Sequence, residues 1–211
     1  MLKMEELQAK RGNVPLRYAR GHFATNHSHI NYYIDITYQK SRLSEAKAIA
    51  KQLVTRFHSS ALIDTILCLD GTEVIGTCLA EELTKGGFRS INAHQTVYVI
   101  TPEYNSNSQI IFRDNYKPMI RGKHVLVLMA SVTTGYTAKR SIEAIEYYGG
   151  RVAGVAAIYR AVDKVGEYPV RSIYSIEDLP DYQSYDYHDC PYCKAGRKVD
   201  ALVNSFGYSS L

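Results

Sequence analysis

Apolar residues along this chain recur with two periods, and the order in which those periods alternate argues for strands separated by helices. Ile30, Tyr32, Ile34 and Ile36 alternate with polar neighbours over residues 29–37, the period-two pattern of a strand. Ser44 can cap a helix in which Ala46, Ile49, Ala50, Leu53, Val54 and Phe57 recur at helical spacing. Residues 62–69 end in an unbroken apolar run, as in a strand buried on both faces. A turn, Asp70-Gly71-Thr72, and a helix over 73–83 that stops near Gly86 and Gly87 come next. Residues 96–100, 125–128, 152–159 and 170–174 predict four more strands. Residues 138–148 predict an amphipathic helix with Ile142, Ile145 and Tyr148 inward and Gly149 and Gly150 as its stop. Residues 101–123 have no period, a length that marks a functional loop or a concealed hairpin. At the ends, residues 1–10 predict a short helix ended by Gly12 and Pro15, 175–179 predict a helical turn, and the remainder of the chain reads as a tail.

This alternation predicts an α/β fold with a mainly parallel central sheet flanked by helices. It divides the chain into an α/β domain over 1–180 and a Tyr-rich tail over 181–211. In such sheets ligands sit beyond the C-terminal ends of the strands. Two turns lie there: Asp70-Gly71-Thr72-Glu73, and the stretch that starts at Met129 and ends at Thr137.

Composition narrows the classes. With 211 residues, 45% of them hydrophobic, the chain can bury a core without disulfides or metals. A net charge of +4 with no basic stripe argues against nucleic acid as a partner. No apolar run reaches the length of a membrane span, and the charged first twenty residues do not read as a signal peptide. Of the four cysteines, Cys68 and Cys78 lie in apolar stretches, and no disulfide framework is legible, which predicts a cytoplasmic protein.

The second turn carries the sharpest chemistry. An apolar strand runs into Ser131, Val132, Thr133, Thr134, Gly135, Tyr136 and Thr137, and then into a helix. Backbone N–H groups, the helix N-terminus and several hydroxyls together suit a phosphate monoester. The same text also suits a plain strand-to-helix turn with a Thr cap. In the tail, Cys190 and Cys193 have the spacing of a zinc knuckle, with His188 as a third candidate ligand for Zn²⁺. An ordinary reduced pair in a turn is the alternative. His22, His27 and His29 read as exposed loop residues.

The 131–137 wording resembles the phosphoribosyl-pyrophosphate (PRPP) motif of the type I phosphoribosyltransferases, in which the loop holds the 5′-phosphate. The order of other segments resembles the orotate phosphoribosyltransferase branch: Gly21-His22-Phe23 before the first long strand, Asp70-Gly71-Thr72-Glu73 at the pyrophosphate loop, and the strand ending at Arg160. The resemblance implies a type I phosphoribosyltransferase-like fold with a small hood built from the N- and C-terminal regions. It implies transfer of phosphoribosyl from PRPP to a nitrogenous base with Mg²⁺, in a homodimer. It places Phe23 and Arg160 on the base side and offers Arg113 and Lys117 as loop cations for pyrophosphate. The family's acidic pair, which holds the ribose hydroxyls, is replaced by Met129 and Ala130. That departure leaves a second reading open, a regulatory module that binds PRPP or a nucleoside monophosphate without turnover.

Overall fold

A computed structural model describes residues 2–8, 14–57, 61–85, 91–93, 95–107 and 109–211. Strand β1 (Glu5–Gln8) pairs antiparallel with β2 (Pro15–Ala24), which pairs antiparallel with β3 (His29–Asp35). Helices α1 (Thr37–Ser41) and α2 (Leu43–Val54) come next, then β4 (Thr65–Cys68), α3 (Glu73–Thr84) and β5 (Tyr98–Ile100). A small hairpin, β6 (Glu103–Tyr104) with β7 (Ile110–Ile111), occupies the aperiodic region. Beyond it lie β8 (His124–Val132), α4 (Tyr136–Tyr147), β9 (Arg151–Arg160), β10 (Lys164–Val165) and β11 (Tyr168–Ser175). The last elements are β12 (Ser184–Tyr185), α5 (Pro191–Lys194), β13 (Ala201–Asn204) and β14 (Gly207–Ser210).

The larger sheet has the order β10-β11-β9-β8-β4-β5, and every pairing in it is parallel except β10 with β11. Chain order runs outward in one direction from β4 to β5, and in the other from β8 to β9 and β11. The sheet therefore reverses between β4 and β8, and at such a switch point the loops splay apart to open a crevice. β4 is buried throughout, as its apolar text predicts. Helix α2 buries Ala46, Ile49, Ala50, Leu53 and Val54 on the stripe read from the sequence. Helix α3 lies very close to β4, because Gly76 faces Cys68: a β-carbon there would stand 2.3 Å from the Cys68 sulfur.

The smaller sheet has the order β12-β3-β2-β13-β14, with β1 also on β2. It is built from both ends of the chain. Residues 1–10, expected as a helix, instead contribute β1, because the unpaired side of β2 offers backbone hydrogen bonds that outweigh the weak helix propensity of so short a segment. Residues 9–13 lie outside the described residues, as do Gly86 and Gly87. The segment read as a tail supplies β12, β13 and β14. Among the described residues no helix is long and apolar enough to cross a membrane.

Candidate functional site

β8 delivers the 131–137 turn to the switch point, and α4 leaves from it. Gly135 takes a left-handed conformation (φ +78°) at the position just before the helix, and a β-carbon there would lie 3.0 Å from a Val165 methyl. The first turn of α4 holds no acidic residue, its cap position is the side-chain-free Gly135, and the Tyr136 N–H has only a long contact, 3.5 Å, to the Thr134 hydroxyl. Its N–H groups and the positive end of its dipole are therefore available to an anion. Ser131, Thr133, Thr134 and Thr137 line the adjoining cavity. Val132 points into the core. Tyr136 is exposed and lies against the His27 ring, 5.7 Å between centroids, with the Arg140 guanidinium 5.6 Å from its own.

The turn after β4 faces it. Asp70 is left-handed (φ +58°), as is Gly71 (φ +76°). Asp70 is the one carboxylate among the described residues that line the cavity, and its side chain lies near the Ala130 amide at the end of β8. Burial raises the Asp70 carboxyl above its ordinary range, against the opposing pull of the Ala130 amide and Lys40. Thr72 is fully buried and its hydroxyl donates to the Leu69 carbonyl, so it braces the turn from inside. Glu73, the first residue of α3, is exposed, and so is Gly71.

Lys40, on α1, is a member of the site that sequence reasoning missed. Its ammonium donates to the carbonyls of Asp70 and Ser205, and it is the one Lys or Arg among the described residues that line the cavity. Burial lowers its pKa, while Asp70, Glu73 and Asp35 oppose that shift. No local motif marks it. Only the return of α1 over the switch point, and of the 204–207 turn beside it, brings it there.

The cavity these elements enclose is about 320 Å³, within the usual range for small-molecule sites. Its floor includes Met129 and Ala130, and its roof the 25–28 turn and tyrosines of β3. Tyr182 also lines it. That side chain is buried, packs 5.5 Å from the Tyr159 ring, and has a hydroxyl near Thr133 that makes no hydrogen bond of good geometry.

Other expected residues are not brought here. Phe23 is fully buried against Tyr33 in the smaller sheet. Arg160 pairs with Asp163 beyond the end of β9 and does not line the cavity. Arg113 pairs with Glu103 at the small hairpin, and Lys117 with Asp114 at 2.6 Å; neither lines the cavity.

The tail cysteines find different neighbours from those expected. His188 is exposed and stacks on Tyr187. The residues that meet Cys190 and Cys193 are His22 and His29, which had read as exposed loop residues, and their four donor atoms lie within 4.8 Å of one another. His22 is fully buried, and only His27 of the three histidines is exposed. The pairing joins positions up to 171 residues apart, a separation no local pattern reveals.

No family model matches the chain. Orotate phosphoribosyltransferase of Thermoanaerobacter sp. is 28% identical over 183 residues, 84% of this chain and 85% of that enzyme. Orotate phosphoribosyltransferase of Caldanaerobacter subterraneus is 35% identical over 78 residues, 36% of this chain, and that alignment spans 39% of the enzyme. Among solved structures, Mycobacterium tuberculosis orotate phosphoribosyltransferase in complex with inorganic phosphate aligns with a TM-score of 0.50 at 18% identity, over 71% of this chain and 81% of that one. Adenine phosphoribosyltransferase of Thermoanaerobacter pseudethanolicus aligns with a TM-score of 0.52 at 14% identity, over 82% and 95%.

Proposed function

We propose that this chain, of type I phosphoribosyltransferase fold and similar in sequence to the orotate branch, binds a 5′-phosphorylated ribose ligand and transfers phosphoribosyl from PRPP to a nitrogenous base. The observation that carries the reading is the N-terminus of α4, with Gly135 at its cap position and no acidic residue in its first turn, opening onto a half-open cavity whose cationic side chain is Lys40. The 5′-phosphate sits on the 131–137 turn, held by backbone N–H groups and hydroxyls. The ribose then extends along the ends of β8 and β4, over Met129 and Ala130 and toward Asp70.

Met129 and Ala130 offer no side-chain acceptor to ribose hydroxyls. Asp70 supplies the one carboxylate among the described residues that line the cavity. The proposal gives Asp70 two roles, as ribose acceptor and as the protein's oxygen ligand for Mg²⁺. A single carboxylate together with ligand phosphates fits Mg²⁺, which keeps much of its coordination to phosphate and water. Bound there, the ion would neutralise charge on the departing pyrophosphate. Lys40, held beside Asp70, adds a fixed positive charge to the same place, and electrostatic stabilisation of the leaving group is the main chemical demand of this transfer.

A second reading is favoured by two observations. The acidic pair is absent at Met129 and Ala130, and Arg113 and Lys117 are paired to acids away from the cavity. On that reading the chain is a binding module for PRPP or a nucleoside monophosphate.

Calorimetry with PRPP, orotidine monophosphate and other nucleoside monophosphates, with and without Mg²⁺, separates the two when run beside a pyrophosphate-release assay. Turnover with any base supports the transferase. Monophosphate binding without turnover supports the module. No binding of any of these ligands overturns both.

A further inference from the structure

We infer that the chain binds one Zn²⁺ through His22 Nε2, His29 Nδ1, Cys190 Sγ and Cys193 Sγ, in a closed structural site that fastens the C-terminal segment to the β2–β3 hairpin. The inference is independent of the phosphoribosyl reading.

Four of the six edges among the donor atoms are close to those of a tetrahedral shell, and all four donors lie within 4.8 Å of one another. Bonds of about 2.3 Å to sulfur and about 2.0 Å to nitrogen set edges of about 3.5 Å between nitrogen and sulfur and about 3.3 Å between two nitrogens. In the protein, His22 Nε2 stands 3.4 Å from the Cys190 sulfur and 3.6 Å from that of Cys193. His29 Nδ1 stands 3.3 Å from the Cys193 sulfur, and the two ring nitrogens are 3.0 Å apart. The cysteines are not joined as a disulfide.

The surrounding hydrogen bonds fix the ligand form of His22. Its Nδ1 lies 3.0 Å and 3.1 Å from the carbonyls of Arg197 and Lys198. Carbonyls only accept, so Nδ1 carries the proton and Nε2 presents a lone pair to the cluster. A metal-bound imidazole is held in this way, with the other ring nitrogen donating to a carbonyl. The backbone of His22 is also clamped: its N–H donates to the Asp200 carboxylate at 2.7 Å, and its carbonyl accepts the Asp200 N–H at 2.7 Å. A bulge in β2 between Arg20 and Phe23 lets the His22 ring turn into the interior.

The cysteines are presented by a tight turn. Cys190 precedes the four-residue helix α5, the Lys194 N–H returns to the Cys190 carbonyl, and the Gly196 N–H to that of Cys193. Cys190 and His22 have no solvent exposure, so the ligand set is closed by burial on one side. Four protein ligands with two thiolates leave no open position, which makes the ion structural, and soft sulfur with imidazole selects zinc over magnesium. The ion would sit at the turn end of the β2–β3 hairpin, beside the residues 25–28 that roof the cavity.

The test uses the full chain purified without chelator. Elemental analysis should find one zinc per chain. Co²⁺ exchanged into the same protein should give the visible bands of a tetrahedral ion and the near-ultraviolet charge transfer of thiolate ligands. Cys193→Ser, at an exposed position, should lose the zinc and the charge-transfer band in part or whole, while His188→Ala should keep both. If Cys193→Ser fails to fold, the Co²⁺ spectrum of the unaltered protein still decides. Protein that holds no zinc after equilibration with zinc salt, or gives a Co²⁺ spectrum without sulfur ligation, overturns the inference. So does loss of zinc in His188→Ala with retention in His22→Ala.

Discussion

Lys40 donates to the backbone carbonyl of Asp70 at 2.6 Å, so α1 and the turn after β4 are joined at the edge of the cavity. Asp70 itself is left-handed (φ +58°), a conformation that Asn tolerates well. The carboxyl of Asp70 is raised by burial, so the folded protein holds its proton to higher pH than the unfolded chain does. The cost of the buried charge is absent below the ordinary carboxylate range, grows as pH rises toward the folded value, and is fully present above it. Asp70→Asn should therefore be as stable as the parent at acid pH and more stable at neutral pH. Urea melts of both proteins across that range check the sign, and a parent that gains on the variant as pH rises would refute it.

The same substitution should weaken ligand binding. If Asp70 serves the ribose and Mg²⁺, Asp70→Asn should abolish the Mg²⁺ dependence of PRPP binding while leaving inorganic phosphate affinity within about threefold, a difference well under one charge-assisted bond. Phosphate and PRPP titrations with and without Mg²⁺ measure both.

Lys40→Met keeps the aliphatic stem and removes the charge. The loss of one charge-assisted bond of about 1.5–3 kcal/mol should lower phosphate and PRPP affinity roughly ten- to a hundredfold. Unchanged affinity by calorimetry would place the phosphate away from α1.

Gly135→Ala forces a β-carbon into a left-handed residue and to within 3.0 Å of Val165. The backbone penalty alone is about 1–2 kcal/mol. Denaturant melts should show that loss, and phosphate binding should fall with it because the turn that presents the α4 N–H groups is the part that moves.

How much of the fold and the site was legible in the sequence depends on how local each signal is. The α2 stripe from Ala46 to Val54 and the apolar text of β4 and β8 read correctly, because one face or both faces of each element meet the core within its own residues. The strand-to-helix turn before α4 was legible for the same reason: Gly135 and its hydroxyl neighbours are contiguous. Other features were set by distant pairing. β1 forms against β2 although its own residues favour a helix, and β13 and β14 are strands of only four residues each, too short for a period to stand out. Lys40 reaches the cavity only through the packing of α1 under Asp70 and Ser205. His22 and His29 meet Cys190 and Cys193 only once the two ends of the chain share one sheet. In each case the missing information was a contact between residues far apart in the chain.

Tyr182 and Tyr159 allow a last discrimination. Both hydroxyls are buried without a hydrogen bond of good geometry, their rings lie 5.5 Å apart, and only Tyr182 lines the cavity. Burying an unpaired hydroxyl costs about 1–3 kcal/mol, so replacement by Phe removes a penalty at either site. Tyr182→Phe and Tyr159→Phe should each leave the ligand-free protein as stable as the parent or more so. Their effects on binding should differ. If the Tyr182 hydroxyl is the partner of a bound phosphoribosyl ligand, Tyr182→Phe should cut affinity several-fold to tenfold, the value of one neutral hydrogen bond of about 1 kcal/mol, and Tyr159→Phe should not change it. Thermal melts and ligand titrations on the two variants measure both quantities. Equal affinities would mean that the hydroxyl of Tyr182 does not touch the ligand, and a loss of stability in Tyr182→Phe would mean that it has a partner in the protein.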